Sequence, residues 1–203
     1  MASINPATRE LTAKIVYYGP ALCGKTTNLH AIHGQLPFHV RGKLLSLATK
    51  ADRTIFFDFL PVGLGSIRGM RVRVQLYTVP GQVFYNETRK LVLKGADGIV
   101  FVADAQDEML ESNAESFQNL EDNLAANGAE LRSTAHVLQF NKQDLGPLIP
   151  TDLLNAQLNR YKVPYHPSVA IRGIGVEETL KSIVRTVLEN LSAKYRLDLR
   201  LVL

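Results

Sequence analysis

The stretch from Lys14 to Thr27, Lys-Ile-Val-Tyr-Tyr-Gly-Pro-Ala-Leu-Cys-Gly-Lys-Thr-Thr, constrains the fold more than any other part of the chain. Ile15, Val16, Tyr17 and Tyr18 are β-branched or aromatic and make a short strand-forming run. Gly19 interrupts that run, and Asn28, Leu29, Ala31 and Ile32 continue at helical spacing. Between them, Gly19 and Gly24-Lys25-Thr26 satisfy the pattern G-x-x-x-x-G-K-[ST]. Such glycines let backbone N–H groups close around a polyphosphate, and the following helix offers its positive end to the same anion. Lys25 is placed to reach the outer phosphates, and the Thr26 hydroxyl suits Mg²⁺. A glycine-bounded turn before an ordinary helix would require no such agreement. Gly19, Ala21, Leu22, Cys23, Gly24, Lys25, Thr26 and Thr27 are therefore read as a nucleotide-phosphate loop.

Composition excludes several alternatives. The 203 residues suffice for one full core, so a single domain is expected over 1–195. Residues 196–203 form a tail that fits strand or helix equally well. A net charge of +4 without a long Lys/Arg run argues against a nucleic-acid partner. Cys23 is the only cysteine, which rules out an internal disulfide and fits a cytoplasmic protein. No apolar run approaches the ~18 residues of a membrane span. Ala2 excludes N-myristoylation and the C-terminus has no prenylatable cysteine, so no direct membrane anchor is expected. His30, His33, His39, His136 and His166 lack paired metal-ligand spacing and read as surface or structural residues.

Along the chain, strands and helices alternate, which predicts an α/β fold with a mostly parallel sheet and helices on both faces. A strand over 12–18 and a helix over 25–34 are followed by an aperiodic segment, 34–53. Ile55–Pro61 and Met70–Tyr77 read as an antiparallel hairpin at the sheet edge, joined by Val62–Gly69 with its three glycines. A short helix is expected at Val83–Lys94, a buried strand from Gly98 to Asp104, and a long helix over 107–126. A strand Ala135–Phe140, a helix from Thr151 to Arg160, a strand Tyr165–Ala170 and a helix beginning at Val176 complete the pattern. Phe56, Phe57 and Phe59 read as hairpin core or edge, and Phe84 and Tyr85 fit an effector surface and core packing equally.

Asn141-Lys142-Gln143-Asp144 directly follows a predicted strand, at the sheet edge where open α/β sheets bind ligands. A carboxylate at Asp144 can accept the paired N–H donors of guanine, which adenine lacks. The stem of Lys142 can cover the ring while Asn141 ties loops together. Val169, Ala170 and Ile171 follow the next strand, where the Ala170 amide can reach the base.

These segments, with Thr78-Val-Pro-Gly-Gln82, resemble the Ras superfamily of small GTPases. Lys-Ile-Val-Tyr-Tyr-Gly-Pro, Arg53-Thr-Ile-Phe-Phe-Asp-Phe-Leu-Pro61 and Leu76-Tyr-Thr-Val-Pro-Gly-Gln-Val-Phe-Tyr85 resemble, more narrowly, the MglA family of bacterial gliding-motility and cell-polarity GTPases. The likeness extends from about Ile4 to Leu191. It implies a P-loop small-GTPase fold that binds GTP or GDP with Mg²⁺ and hydrolyses GTP. Lys25 and Thr26 would hold phosphates and metal. Thr54 would complete the metal's ligands, making 38–54 the first switch. Gly81 would meet the γ-phosphate, Gln82 would orient the attacking water, and Arg53 would act as a finger supplied by the chain itself. The likeness further implies an MglB-like Roadblock homodimer as activator, polarity or cytoskeletal effectors, and recruitment to a cell pole.

Two residues depart from common patterns. Thr78 stands where most small GTPases carry a metal-supporting Asp, a substitution the MglA family shares. Ala21 stands where that family normally has Gly, and its methyl crowds the space of the attacking water, Gln82 and Arg53. An alternative follows, in which the chain is a GTP-dependent binding scaffold with negligible hydrolysis. A P-loop ATPase or kinase is disfavoured by Asn141–Asp144.

Overall fold

The computed structural model describes residues 2–5, 7–47, 57–67 and 69–195. Among the described residues, eight strands form one sheet. They are β1 (Ser3–Asn5), β2 (Glu10–Tyr18), β3 (Leu45–Leu47), β4 (Phe57–Ile67), β5 (Met70–Thr78), β6 (Gly98–Asp104), β7 (Ala135–Asn141) and β8 (Tyr165–Pro167). The order is β3-β4-β5-β2-β6-β7-β8, with β1 antiparallel on β2. Strands β5, β2, β6, β7 and β8 are parallel, while β3, β4 and β5 pair antiparallel. Helices α1 (Lys25–Gln35), α2 (Asn86–Leu93), α3 (Leu110–Ala126), α4 (Thr151–Leu158) and α5 (Val176–Tyr195) connect and cover them. No helix of the described residues is long and apolar enough to cross a membrane.

The central strand β6, Gly-Ile-Val-Phe-Val-Ala-Asp, is buried along its whole length. It is apolar on both faces because helices cover both. Val100 and Val102 point into the cluster that holds Leu29 and Ile32 of α1 and Ile183, Val184 and Val187 of α5. Ile99, Phe101 and Ala103 point the other way, among Phe117, Leu120 and Leu124 of α3 and Leu154 and Leu158 of α4. Phe101 and Phe117 meet edge to face at 5.0 Å, a contact worth about 1 kcal/mol beyond area burial.

Most predicted elements fall within a few residues of the observed ones, and the differences have local causes. The expected connector Val62–Gly69 is mostly strand, because β4 runs on to Ile67 against β5 with an irregularity between Gly63 and Ser66. The glycines accommodate that register shift instead of ending the strand. The hairpin is not the outermost layer, since β3 adds a further edge inside the segment read as aperiodic. The last parallel strand stops at Pro167, and Ala170–Arg172 turns into a 3-10 helix. The helices at 83 and 107 each begin with a 3-10 turn, Val83–Tyr85 and Asp107–Met109. The tail 196–203, Arg53, Thr54 and Phe56 lie outside the described residues.

Candidate functional site

Two cavities adjoin at the carboxyl ends of β2, β5 and β7, sharing Leu22, Gly24 and Thr27. The first, of about 360 Å³, is lined by the phosphate loop, Ser46, Asp58 and Thr78–Gly81. Its loop is shaped by Gly24, which has φ +101° and caps α1 without a side-chain hydrogen bond. The first N–H groups of α1 are thus left for an anion. A Cβ on Gly24 would stand 2.2 Å from Asn141 Nδ2, so the position accepts glycine alone. Lys25 is buried, with Nζ donating to the carbonyls of Gly19 (3.1 Å) and Pro20 (2.5 Å). Burial lowers its pKa below the usual lysine value, and the nearby Arg89 cation acts in the same direction. A bound polyphosphate would oppose both effects. Cys23 is buried beneath the loop and burial pushes its thiol up, which fits a packing role and not a reactive one.

Asp58 is the residue that sequence reasoning missed. From β4 its Oδ2 accepts from Thr26 Oγ1 at 2.6 Å and from Thr78 Oγ1 at 2.9 Å, while Oδ1 accepts from Ser46 Oγ at 2.6 Å. The Asp58 backbone N–H donates to Thr78 Oγ1 at 2.8 Å. The carboxylate missing at Thr78 is therefore supplied from the neighbouring strand, behind the hydroxyl expected to ligate Mg²⁺. An anion that accepts the Thr26 hydrogen bond leaves the hydroxyl oxygen's lone pairs free for a hard cation, so the donor set fits Mg²⁺. Among the described residues no group of three or more His, Cys, Asp or Glu could hold a metal.

The second cavity, of about 220 Å³, is lined by Asn141, Lys142, Asp144, Leu145, Ala170 and Ile171 beside the shared residues. Asn141 is buried and links three segments. Its Nδ2 donates to Cys23 O at 2.8 Å, and its Oδ1 accepts from Ser168 Oγ at 3.1 Å and Ala170 N–H at 2.9 Å. The Ala170 amide is thus already engaged and can serve a base only by sharing. Lys142, at φ 66°, pairs its ammonium with the buried Asp104 at 2.5 Å and donates to Gln106 Oε1 at 3.2 Å. This fixes the stem as a wall of the cavity. Asp104 ends the predicted β6 strand, and only the fold reveals it as Lys142's partner. Asp144 Oδ2 is 3.8 Å from Arg172 Nη2, a loose pair that a base can displace. Val169 does not line the cavity, as its amide closes the adjoining turn on Ile174 O at 3.0 Å.

Gly81 lies directly on the phosphate loop. A Cβ there would be 2.4 Å from Ala21 Cα and 2.9 Å from Pro20 O. Gln82 is exposed beside it, and Phe84 is 90% exposed, which decides against a core role. Behind this loop, α2 is seated on α3 by polar contacts. Asn86 Oδ1 accepts from Asn119 Nδ2 (2.9 Å) and Asn123 Nδ2 (2.8 Å), and Arg89 stacks on Tyr18 and donates to Ser116 Oγ at 2.8 Å. Tyr18 directly precedes Gly19, so α2 and the phosphate loop share an anchor.

The Ras family profile matches residues 14–189. The mutual gliding-motility protein MglA of Myxococcus xanthus (strain DK1622) is 51% identical over 191 residues, which cover 94% of this chain and 98% of that protein. The Ras-related protein RAB1BV of Beta vulgaris is 26% identical over 151 residues, 72% of this chain and 67% of that protein.

Proposed function

The chain belongs to the Ras family as a small GTPase of the MglA type, and from that premise we propose that it is a GTP-dependent switch in gliding motility or cell polarity. The observation that carries this reading is the pair of adjoining cavities joined through Asn141, one suited to phosphates and the other to a flat base. In it, the amides of 21–27 and the Lys25 ammonium bind the phosphates, and Asp144 accepts the guanine N–H pair. Thr26, with Thr54, would hold Mg²⁺, which when bound neutralises charge on the outer phosphates. Asp58 orients Thr26. Gln82 orients the attacking water and Arg53 approaches the developing charge between the β- and γ-phosphates.

Switching follows from the contact between Gly81 and Ala21. A third phosphate must lift residues 80–82 off the loop, moving α2 and the exposed Phe84 with them. State-dependent binding of an MglB-like activator and of polarity or cytoskeletal effectors is the proposed output, with recruitment to a cell pole. A second reading, a GTP-dependent scaffold that hardly hydrolyses, draws support from the extra methyl that Ala21 brings to the phosphate loop.

The test is to identify the nucleotide that co-purifies and to measure its single-turnover hydrolysis with and without an MglB-like protein. Asp144→Asn should move preference from GTP toward XTP, because an amide donates where the carboxylate accepted. An unchanged GTP/XTP affinity ratio removes Asp144 from base recognition.

A further inference from the structure

A cavity of about 750 Å³ opens at the other end of the sheet, where β7 and β8 begin. Its walls come from the turn carrying Arg132, the turn carrying Arg160 and Lys162, and α5 at Thr186 and Asn190, with His136 at the start of β7. Its lining includes three permanent cations and no carboxylate. Cations near the C-terminus of α4 also suit the helix dipole, and a lone exposed Lys or Arg there would need no ligand.

Three observations go beyond that simple account. First, Arg132, Arg160 and Lys162, all solvent-exposed, come from two separate turns yet line one concave space. Second, the walls are braced from behind. Glu121 of α3 accepts from Arg160 Nη1 at 3.0 Å and from Tyr161 Oη at 2.9 Å, and Tyr161 meets the His136 ring edge to face at 5.5 Å. Third, Lys162 has φ 54°, a strained backbone for a side chain with a Cβ. Asn159 holds that turn by accepting from Val163 N–H and donating to Val163 O, both at 2.8 Å. The Arg160 and Tyr161 side chains and the backbone that carries Lys162 are thus held in place before any ligand arrives.

We propose that this cavity is a second anion site, built to take a phosphate-class dianion, at the end of the sheet opposite the nucleotide site. Arg132 and Lys162 are its principal cations, since Arg160 is shared with Glu121. A phosphorylated metabolite and a lipid headgroup that ends in a phosphomonoester carry the same chemistry. His136 belongs to the site as a conditional donor. Its Nδ1 faces Thr134 O at 2.9 Å, leaving Nε2 as the other polar atom of the ring. Burial lowers its pKa, against the weaker influence of the Thr134 carbonyl and Glu121. Tyr161, Arg132, Arg160 and Lys162 are its other charged or titratable neighbours in the cavity. A dianion would favour the imidazolium and so bind more tightly as pH falls.

The test uses the full chain loaded with Mg²⁺ and GDP, so that the nucleotide site is already filled. Glycerol phosphate is titrated while backbone amide NMR shifts are followed. The expected result is a saturable response confined to 132–136 and 160–164. The double variant Arg132→Gln/Lys162→Gln should bind at least tenfold more weakly with GDP affinity unchanged. A diffuse, non-saturating response, or equal affinity in the variant, overturns the site. Sulfate, dianionic throughout the range, should bind more tightly at pH 6 than at pH 7.5, and a flat profile removes His136. Vesicles of phosphatidylcholine and phosphatidic acid at 3:1, whose phosphomonoester headgroup can reach the dianion, identify the source. Co-sedimentation lost in the variant assigns a lipid headgroup, and saturable glycerol phosphate binding without co-sedimentation assigns a soluble ligand.

Discussion

Replacing Asp58 by Asn keeps the side-chain shape and removes one charge at the point where β4 meets the phosphate loop. In the native protein both carboxylate oxygens are acceptors, for Thr26 and Thr78 on one side and Ser46 on the other. An amide has one oxygen, so in either orientation at least one hydroxyl that donated to a carboxylate faces an NH₂ group. Hydrogen bonds to charged groups contribute roughly 1.5–3 kcal/mol and neutral ones roughly 0.5–1.5, so each converted bond loses about 1–1.5 kcal/mol. The Thr26 bond matters most, because it aligns the lone pair that would meet Mg²⁺. With the lost anion added, Mg²⁺ affinity should fall about tenfold to a hundredfold, or ~1.4–2.8 kcal/mol. The assay is release of fluorescent GDP against free Mg²⁺, read as the half-saturating concentration. Ser46→Ala is the control. It removes one bond to the other carboxylate oxygen, should cost roughly 1.5–3 kcal/mol of stability, and should shift Mg²⁺ dependence less than about twofold. An unchanged midpoint in Asp58→Asn, or an equal shift in Ser46→Ala, would refute a metal-supporting role.

Ala21→Gly should raise single-turnover hydrolysis about tenfold at nearly constant GTP affinity, equivalent to ~1.4 kcal/mol of relieved crowding. Equal rates for the two proteins would end the crowding argument. Arg53→Ala should leave nucleotide affinity nearly intact and cut partner-stimulated hydrolysis by up to ~10³-fold or more, and full stimulated turnover would place the finger elsewhere. Tyr17→Phe removes a buried hydroxyl with no hydrogen-bond partner among the described residues, so stability at pH 7 should rise by about 1 kcal/mol and Tm by ~2–4 °C. Burial raises the Tyr17 pKa above 10.0, so the folded state keeps a proton that the unfolded chain releases above that pH. Native stability should therefore decline above about pH 10, and the Phe variant should lose that part of the decline in urea titrations across pH.

The phosphate loop, the buried β6 run and the Asn141–Asp144 turn are legible in the sequence because each is a local code. Strand propensity, glycine freedom and helix spacing act within a few residues of one another. The same holds for Asn141 as a tie between loops, which its type and place after a strand already suggest. Asp58 is different. In sequence it is one acidic residue in an apolar strand, 32 residues from Thr26 and 20 from Thr78. It becomes the carboxylate behind Thr26 only when β4 pairs antiparallel with β5 and β5 lies beside β2. The Asp104–Lys142 pair and the cation-lined cavity depend in the same way on β6 beside β7 and β7 beside β8. Strands β1 and β3, three residues each, are too short to carry a period, and exist because a longer neighbour offers its edge. Local propensity thus determined where the backbone turns and which loop meets phosphate. Long-range strand pairing alone decided which charge stands behind each functional group, because electrostatic contact acts through space, and residues distant along the chain come within reach only after the sheet has formed.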